Sequence, residues 1–238
     1  MTEFKNLTAL IDQEYATRRN DYRFYIENGY FPTWAAEHRN NPDQGLRAYS
    51  TPAKWSLYQA GSITREKAVE IAIKRALKEI DKKENEMLTQ LATIANTPAV
   101  KWCTISVEWV KNRYWGNNPH TTITTDYITT YGKAGGCGYD KESAAIANAL
   151  NENPAILRVL YDAAEKALTE NTPPKRYSNG NYTWRDNVGY GSGYSVLPYF
   201  EGGAGVSCFW SIFEKCGYKC KLTASGKMYD HYTITKGV

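Results

Sequence analysis

No apolar run in this chain of 238 residues approaches the roughly 18 residues that a transmembrane helix needs. The first residues, Met1 to Lys5, contain no apolar core of a secretory signal. The five cysteines are odd in number and irregularly spaced, which argues against a disulfide framework in a chain of this length. We therefore expect a cytoplasmic protein with reduced thiols.

Catalytic and metal-binding patterns are also scarce, because the chain has only three histidines. Cys137 lies in a glycine-rich corner before a predicted helix, where its pKa would fall, and His120 stands at the start of a neighbouring predicted strand. This pair is the candidate site of a thiol-dependent hydrolase. A third residue that would orient this pair is not identifiable. We therefore predict no catalytic residue, with Cys137 and His120 as the candidates if the protein is an enzyme.

Four further residues have side chains that can bind zinc: Cys208, Cys216, Cys220 and His231. Their spacing matches no compact zinc motif, and Cys208 falls on an apolar predicted helix. Free cysteine is usually a small buried apolar residue. The sequence thus predicts neither a metal nor a cofactor, with these four residues as the candidates if a metal is bound.

The net charge of +4 argues against an acidic mimic of DNA and permits contact with nucleic acid or with an acidic protein. The unusual feature of the composition is its 19 tyrosines and 7 tryptophans. These residues are enriched in binding surfaces, although they also serve as sheet and core residues.

The N-terminal part of the chain has helical spacing. Apolar residues recur from Leu7 to Ile26 until Gly29 and Pro32 end the helix, a short helix is expected near 33–39, and Thr51-Pro52 begins another. Residues 64–95 contain no glycine or proline and carry a narrow apolar stripe, which predicts one helix about 45 Å long. Such a helix either forms a homodimer seam or packs along its own sheet.

The rest of the chain has the pattern of a sheet with helices. Residues 101–110 alternate between apolar and polar side chains, and strands are also expected at 120–127 and 128–134, after a turn at 116–119. Helices are expected from about 140 to 150, from Pro154 to Leu168 and from Ser207 to Cys216, followed by a hairpin around Ala224 to Lys227. We predict an α+β fold: N-terminal helices, one of them long, then a mainly antiparallel sheet of about five strands with packed helices. A helical portion (1–98) and a sheet portion (99–238) are expected to fold as one cooperative unit.

Residues 120–150 end in a Gly136-x-Gly138 corner and a helix that closes with Ala-Ala-Ile-Ala-Asn-Ala-Leu at 144–150. This segment resembles the back half of a double-stranded RNA-binding domain, which implies binding of duplex RNA. That family holds phosphate with lysines at the helix start. This chain departs from the pattern there with Asp140-Lys141-Glu142, and carboxylates repel phosphate.

A long polar loop with aromatic residues is the predicted binding site. Cationic side chains there suit phosphates and the rings suit stacking on bases, but the same residues suit a protein partner, or a loop folded on its own sheet. The residues are Lys175, Arg176, Tyr177, Tyr182, Trp184 and Arg185. Arg18, Arg19 and Arg23 give the first helix a basic face that either meets phosphate or is simply solvated.

The long charged helix, the segment Gly136 to Ala145 and the segment Gly205 to Trp210 are similar to small accessory proteins of phages and integrated elements. That resemblance implies a role in managing nucleic acid or blocking host defence. We predict a non-enzymatic binding protein that engages a host protein or ribonucleoprotein complex handling nucleic acid, as an anti-CRISPR or other anti-defence inhibitor, in the host cytoplasm. The alternatives are direct binding of duplex RNA or DNA and a small thiol-dependent hydrolase.

Overall fold

The computed structural model describes residues 4–28, 60–112, 116–134, 141–170, 197–200, 202 and 206–237. Its helices are α1 (Lys5–Asn28), α2 (Arg65–Ala95), α3 (Lys141–Asn151), α4 (Pro154–Thr169) and α5 (Ser207–Lys215). Its strands are β1 (Trp102–Asn112), β2 (Gly116–Thr125), β3 (Thr129–Lys133), β4 (Tyr218–Gly226) and β5 (Tyr229–Lys236). The α+β arrangement with a five-stranded antiparallel sheet is the predicted one.

Local signals place the ends of these helices. The hydroxyl of Thr64 accepts a hydrogen bond from the backbone N–H of Lys67 at 3.3 Å, so Thr64 caps α2. Asn153 caps α4 by accepting from the N–H of Ile156 at 3.2 Å, and Pro154 takes the first position, where an N–H is not needed. Helix periodicity together with these caps explains why the five predicted helices that fall in the described residues are confirmed within a few residues.

The sheet has the strand order β3-β2-β1-β5-β4. The sheet consists of a three-stranded meander, β1-β2-β3, and a hairpin, β4-β5. They meet where β1 pairs with β5 in antiparallel register, with Ile105 opposite Tyr232. Successive residues of a strand point to opposite faces. We call one face the covered face, because its side chains are buried beneath helices. Its members include Cys103, Ile105, Val107, Thr121, Ile123, Thr130, Gly132, Tyr218 and Ile234.

Helices α3 and α5 pack on this sheet, α3 on β2 and β3 and α5 on β4. A Cβ added to Gly132 of β3 would lie 2.0 Å from the carbonyl oxygen of Ala145 in α3, so only glycine allows this approach. The ring of Phe213 meets Tyr218 edge-on at 5.9 Å, which fixes α5 against β4. The small residues of α3 thus serve the close packing that their composition predicts.

The chain divides into two compact units. Of the described residues, the first unit comprises those at 4–7 and all those from 90 onward, and it contains the sheet. The second unit comprises 8–28 and 60–89. The predicted boundary near residue 98 stays a prediction.

In the second unit, α1 and α2 contact each other in antiparallel directions. The Tyr15 hydroxyl lies 2.8 Å from the sulfur of Met87, and one turn further along α1 the guanidinium of Arg19 pairs with Asp81 at 3.0 Å and with Glu84. Apolar residues of the α2 stripe, such as Ala76, Ile80 and Met87, are buried. The homodimer through this helix stays a prediction.

One predicted turn is wrong. Residues Gly116 to Pro119 belong to β2, where Asn118 pairs with Val110 and Pro119 with Trp109. Proline is tolerated there because β3 ends at Lys133, so no strand residue beyond that point needs a donor from position 119. The final hairpin is confirmed, with Lys227 and Met228 as its connection. The helices expected near 33–39 and from Thr51 lie outside the described residues.

Among the helices that the structure describes, none combines the length and the apolar composition required to cross a lipid bilayer.

Candidate functional site

The second face of the sheet carries no buried side chain among its described strand residues. We call it the polar face. Alternation along each strand and the pairing registers assign its members. They are Trp102, Thr104, Ser106, Glu108 and Val110 of β1, Asn118, His120, Thr122 and Thr124 of β2, Thr129, Tyr131 and Lys133 of β3, Lys219 and Lys221 of β4, and Tyr229, His231, Thr233 and Thr235 of β5.

These residues form ordered rows across the strands. One row consists of four threonines and ends in a lysine: Thr129, Thr124, Thr104, Thr233 and Lys221. Such a row presents hydroxyl groups that both donate and accept hydrogen bonds. The polar face therefore offers a row of hydroxyl groups that can bond to either a donor or an acceptor of a ligand.

The next two rows bring together rings and charges. Tyr131 aligns with Thr122, Ser106 and His231 in one of them. The other contains Lys133, His120, Glu108 and Tyr229. Both histidines of the described residues thus lie on one surface, and His231 contacts the ring of Tyr229 at a centroid distance of 5.2 Å.

Large apolar side chains are exposed mainly on this sheet. Of nine exposed large hydrophobic residues in the described part of the chain, eight lie in its strands or hairpin turns, and the ninth is Ile26 of α1. Tyr131 is 67% exposed, Tyr229 43% and Trp102 41%. Exposed apolar groups concentrated in one region usually mark an interaction surface.

The charge of the sheet is positive. Its strands contain five lysines (Lys111, Lys133, Lys219, Lys221, Lys236) and two carboxylates (Glu108, Asp230). On the polar face the lysines occupy the two edge strands, with Lys133 on β3 and Lys219 and Lys221 on β4. Glu108 lies on the central strand. The face is therefore positive at its edges and negative near its centre.

The covered face holds these side chains in place. The Thr130 hydroxyl donates to the carbonyl of Ala149 at 2.9 Å, and the Asn148 amide donates to the carbonyl of Lys133 at 2.9 Å. Both bonds tie β3 to α3, directly beneath Tyr131 and Lys133. A binding surface built on a helix-backed sheet loses little conformational freedom when a ligand binds.

The predicted loop site lies outside the described residues, with Lys175, Arg176, Tyr177, Tyr182, Trp184 and Arg185. The basic face of α1 is described. Arg18 pairs with Glu14 at 2.9 Å and lies over the Tyr15 ring, and Arg19 pairs with two carboxylates of α2. Arg23 donates to Asn20 at 3.5 Å. Two of the three arginines therefore have partly neutralised charges.

The candidate thiol and zinc sites are only partly described, so both stay predictions. Cys137 lies outside the described residues, and its proposed partner His120 is on the polar face. Cys220 pairs with Ile234 and belongs to the covered face, whereas His231 belongs to the polar face. No cluster of metal-binding side chains occurs in the part of the chain that is described. The side chain of Cys208 in α5 is outside that part.

The described thiols are poor nucleophiles. Burial raises the pKa of Cys103 to about 12, with smaller contributions from Cys220 and Asp126. Burial, followed by the charge of Glu214, raises the pKa of Cys220 to about 12. Burial also raises the pKa of Cys216. These thiols carry almost no thiolate near neutral pH.

The start of α3 is partly described. Lys141 donates to the side chain of Asn118 at 3.2 Å, and the Tyr232 hydroxyl donates to Glu142 at 3.3 Å. Both side chains of this helix start are therefore engaged by the sheet. The corner at 135–140 lies outside the described residues, so phosphate binding at this position stays a prediction from the resemblance.

The chain matches no protein-family model and has no significant match among curated proteins or solved structures.

Sequence reasoning missed the polar face as a site. The alternation of Thr104, Ser106 and Glu108 against apolar neighbours was visible, and it showed that β1 has one polar side. Tyr131, Tyr229 and His231 come from distant segments, and only strand pairing places them beside these residues. A signal that could have helped is the alternation of the final hairpin, where Tyr229, His231 and Thr233 share one face.

Proposed function

We propose that this protein is a non-enzymatic binding protein and that the polar face is the surface with which it engages its partner. The partner belongs to a host complex that handles nucleic acid. The phage or mobile-element setting, the anti-CRISPR or other anti-defence role and the host cytoplasm are part of the proposal. Those parts are supported by sequence resemblance and composition.

One observation carries the binding function: of the nine exposed large hydrophobic residues in the described chain, four lie on the polar face (Trp102, Val110, Tyr131 and Tyr229), and four more lie in the turns (Tyr127, Ile128, Met228) or on the covered side (Leu222) of the same sheet. Scattered exposed apolar residues need no explanation, but a concentration on one rigid element does. Tyrosine and tryptophan provide large contact areas at a low cost in side-chain entropy. The polar face combines such rings with hydroxyl groups and lysines, which is the composition of a binding surface.

The raised pKa values of Cys103, Cys216 and Cys220 support a function without a thiol nucleophile. The hydrolase alternative depends on Cys137 alone. Rapid alkylation of Cys137 at neutral pH, with the other thiols unreactive, would favour the hydrolase and weaken the binding proposal.

The test is affinity capture from lysate of the cells that produce the protein, with both proteins and nucleic acids identified. The polar-face variant is Tyr131→Ala with Tyr229→Ala. The matched control is Tyr127→Ala with Leu222→Ala, because these residues are 55% and 51% exposed but lie in a turn and on the covered side of an edge strand. We expect the wild type and the control to retain the same partner and the polar-face variant to lose it. Equal capture by all three proteins would refute the proposal.

Direct nucleic-acid binding is the second candidate function. The excess of lysine over carboxylate in the strands favours it. Counterion release makes such binding weaken steeply between about 50 and about 200 mM salt, whereas a tyrosine-centred protein interface is less sensitive. The salt dependence of the captured complex therefore separates the two candidates.

A further inference from the structure

We propose that the polar face binds single-stranded nucleic acid, with bases stacked on its exposed rings and phosphates held by lysines at both edges of the sheet. This inference rests on the proposed function for the polar face as the binding surface, and it deepens the second candidate function, direct nucleic-acid binding, by naming the kind of nucleic acid.

The positions of the rings support stacking. Tyr131 on β3 and the contacting pair Tyr229 and His231 on β5 are separated by three strand spacings, or about 14 Å. His120 on β2 lies between them. Rings spread in this way over a sheet can each accept the flat face of one base, and stacking tolerates any base because every base has such a face.

The charges define where a strand would lie. Lys133 stands at one edge and Lys219 and Lys221 at the other, four strand spacings or about 19 Å apart. A single strand whose bases lie flat on separate rings is not stacked on itself, so it crosses this width with fewer nucleotides than a strand stacked at about 3.4 Å per nucleotide would need. A strand that crosses the sheet from β3 to β4 therefore meets a cation at each end.

Glu108 explains why the bases, and not the phosphates, face the centre. Its carboxylate lies between His120 and Tyr229, where a phosphate would be repelled. A base edge can instead donate to it, as the amino group of cytosine does to glutamate. The hydroxyl row from Thr129 to Thr233 offers further hydrogen bonds to base edges.

A duplex fits this face poorly. Its bases are stacked on one another, so their flat faces are closed to Tyr131 and Tyr229. Its phosphates would lie across the whole width of the sheet, including Glu108. The major groove of B-form DNA admits an α-helix or a two-stranded ribbon, and a sheet of five strands is wider than that groove.

The experiment measures fluorescence anisotropy of labelled oligothymidylate and oligouridylate of about 12 nucleotides, and of duplexes of the same length, at about 50 and about 200 mM salt. The protein is the full chain. We expect the single strands to bind at least about tenfold more tightly than either duplex. Tyr131→Ala and Tyr229→Ala should each weaken single-strand binding by about tenfold. Tyr127→Ala, in the adjacent turn, should leave binding unchanged.

The lysines have a matched control on the same hairpin. Lys221 is on the polar face, whereas Lys236 on β5 aligns with Tyr218 and so lies on the covered side. Lys221→Ala should reduce the slope of log affinity against log salt by about 0.7, the loss of one phosphate contact. Lys236→Ala should not change that slope.

Three results would overturn the inference: duplexes that bind as tightly as single strands, no single-strand binding at about 50 mM salt, or alanine variants that bind like the wild type. If Tyr229→Ala fails to fold because its ring packs over Gly226, the 67% exposed Tyr131 provides the same test alone. A protein partner captured by the wild type but not by the polar-face variant, without oligonucleotide binding, would refute this inference and keep the proposed function. If the wild-type protein neither binds oligonucleotides nor loses a captured partner in the polar-face variant, the inference and the proposed function are both refuted.

Discussion

The two faces of the sheet differ in how far their side chains can be changed without loss of stability. On the covered face, Ile105, Ile123 and Ile234 are fully buried, and Gly132 leaves no space for even one more carbon atom. On the polar face, Thr104, Glu108 and Tyr131 are exposed. The same strands provide both sets of side chains, because neighbouring residues point in opposite directions. The contrast teaches that stability and binding can be changed separately in this sheet.

The largest effect is expected at the contact between β3 and α3. Gly132→Val places carbon atoms where the backbone of Ala145 and Ala149 lies, and backbone cannot move aside. We expect a loss of about 3 kcal/mol or more in the free energy of unfolding, measured by chemical denaturation. Thr129→Val on the same strand but on the polar face is the control and should cost under about 0.5 kcal/mol. Similar losses for both variants would show that the two faces contribute equally to stability, contrary to this prediction.

Removing the buried charge of a helix should reduce the stability of the protein more than removing an exposed charge of the polar face. Arg158 of α4 is 9% exposed and donates to the carbonyls of Ala95 at 2.8 Å and Thr97 at 3.2 Å. These carbonyls lie at and just beyond the C-terminal end of α2, where a cation is also favoured. Arg158→Met should cost about 2 kcal/mol, seen as a lower midpoint in urea. Lys221→Met is the comparison, and an equal loss there would contradict the distinction.

A pair of threonines on the covered face should respond in opposite directions. Thr121 is 1% exposed, and within the described part of the chain its hydroxyl has no hydrogen-bond partner. Thr130 on the adjacent strand donates to Ala149. Thr121→Val should therefore stabilise the protein by about 1 kcal/mol, and Thr130→Val should destabilise it by about 1 kcal/mol. Thermal unfolding measures both changes, and a loss at Thr121 would mean that its hydroxyl is satisfied.

The smallest effect on stability is expected on the polar face. Tyr131→Ala removes a ring that is 67% exposed, so unfolding should change by less than about 0.5 kcal/mol. Its effect on ligand binding should be large by comparison. Denaturation and binding measured on the same preparation test this. A loss of stability above about 1 kcal/mol would show that the ring packs within the fold and is not held ready for a partner.

Much of the fold could be predicted from local patterns. Apolar spacing and the absence of glycine and proline located α2, and Pro154 marked the start of α4, because helix formation depends on residues close in sequence. The turn expected at Gly116 to Pro119 was wrong because pairing with β1 extends β2 through these residues. Glycine, asparagine and proline favour turns locally, but here the hydrogen bonds between paired strands decide the conformation.

Residue patterns are enough to locate the helices and the amphipathic strands, and to show that each strand has one polar side, since side-chain direction follows from strand geometry alone. Which polar sides meet depends on how the strands pair in the folded protein. The pairing of β1 with β5 joins segments more than 100 residues apart and places His231 beside Ser106 and Tyr229 beside Glu108. Such long-range pairing depends on the packing of the whole sheet against its helices, for which no local pattern in the sequence is sufficient.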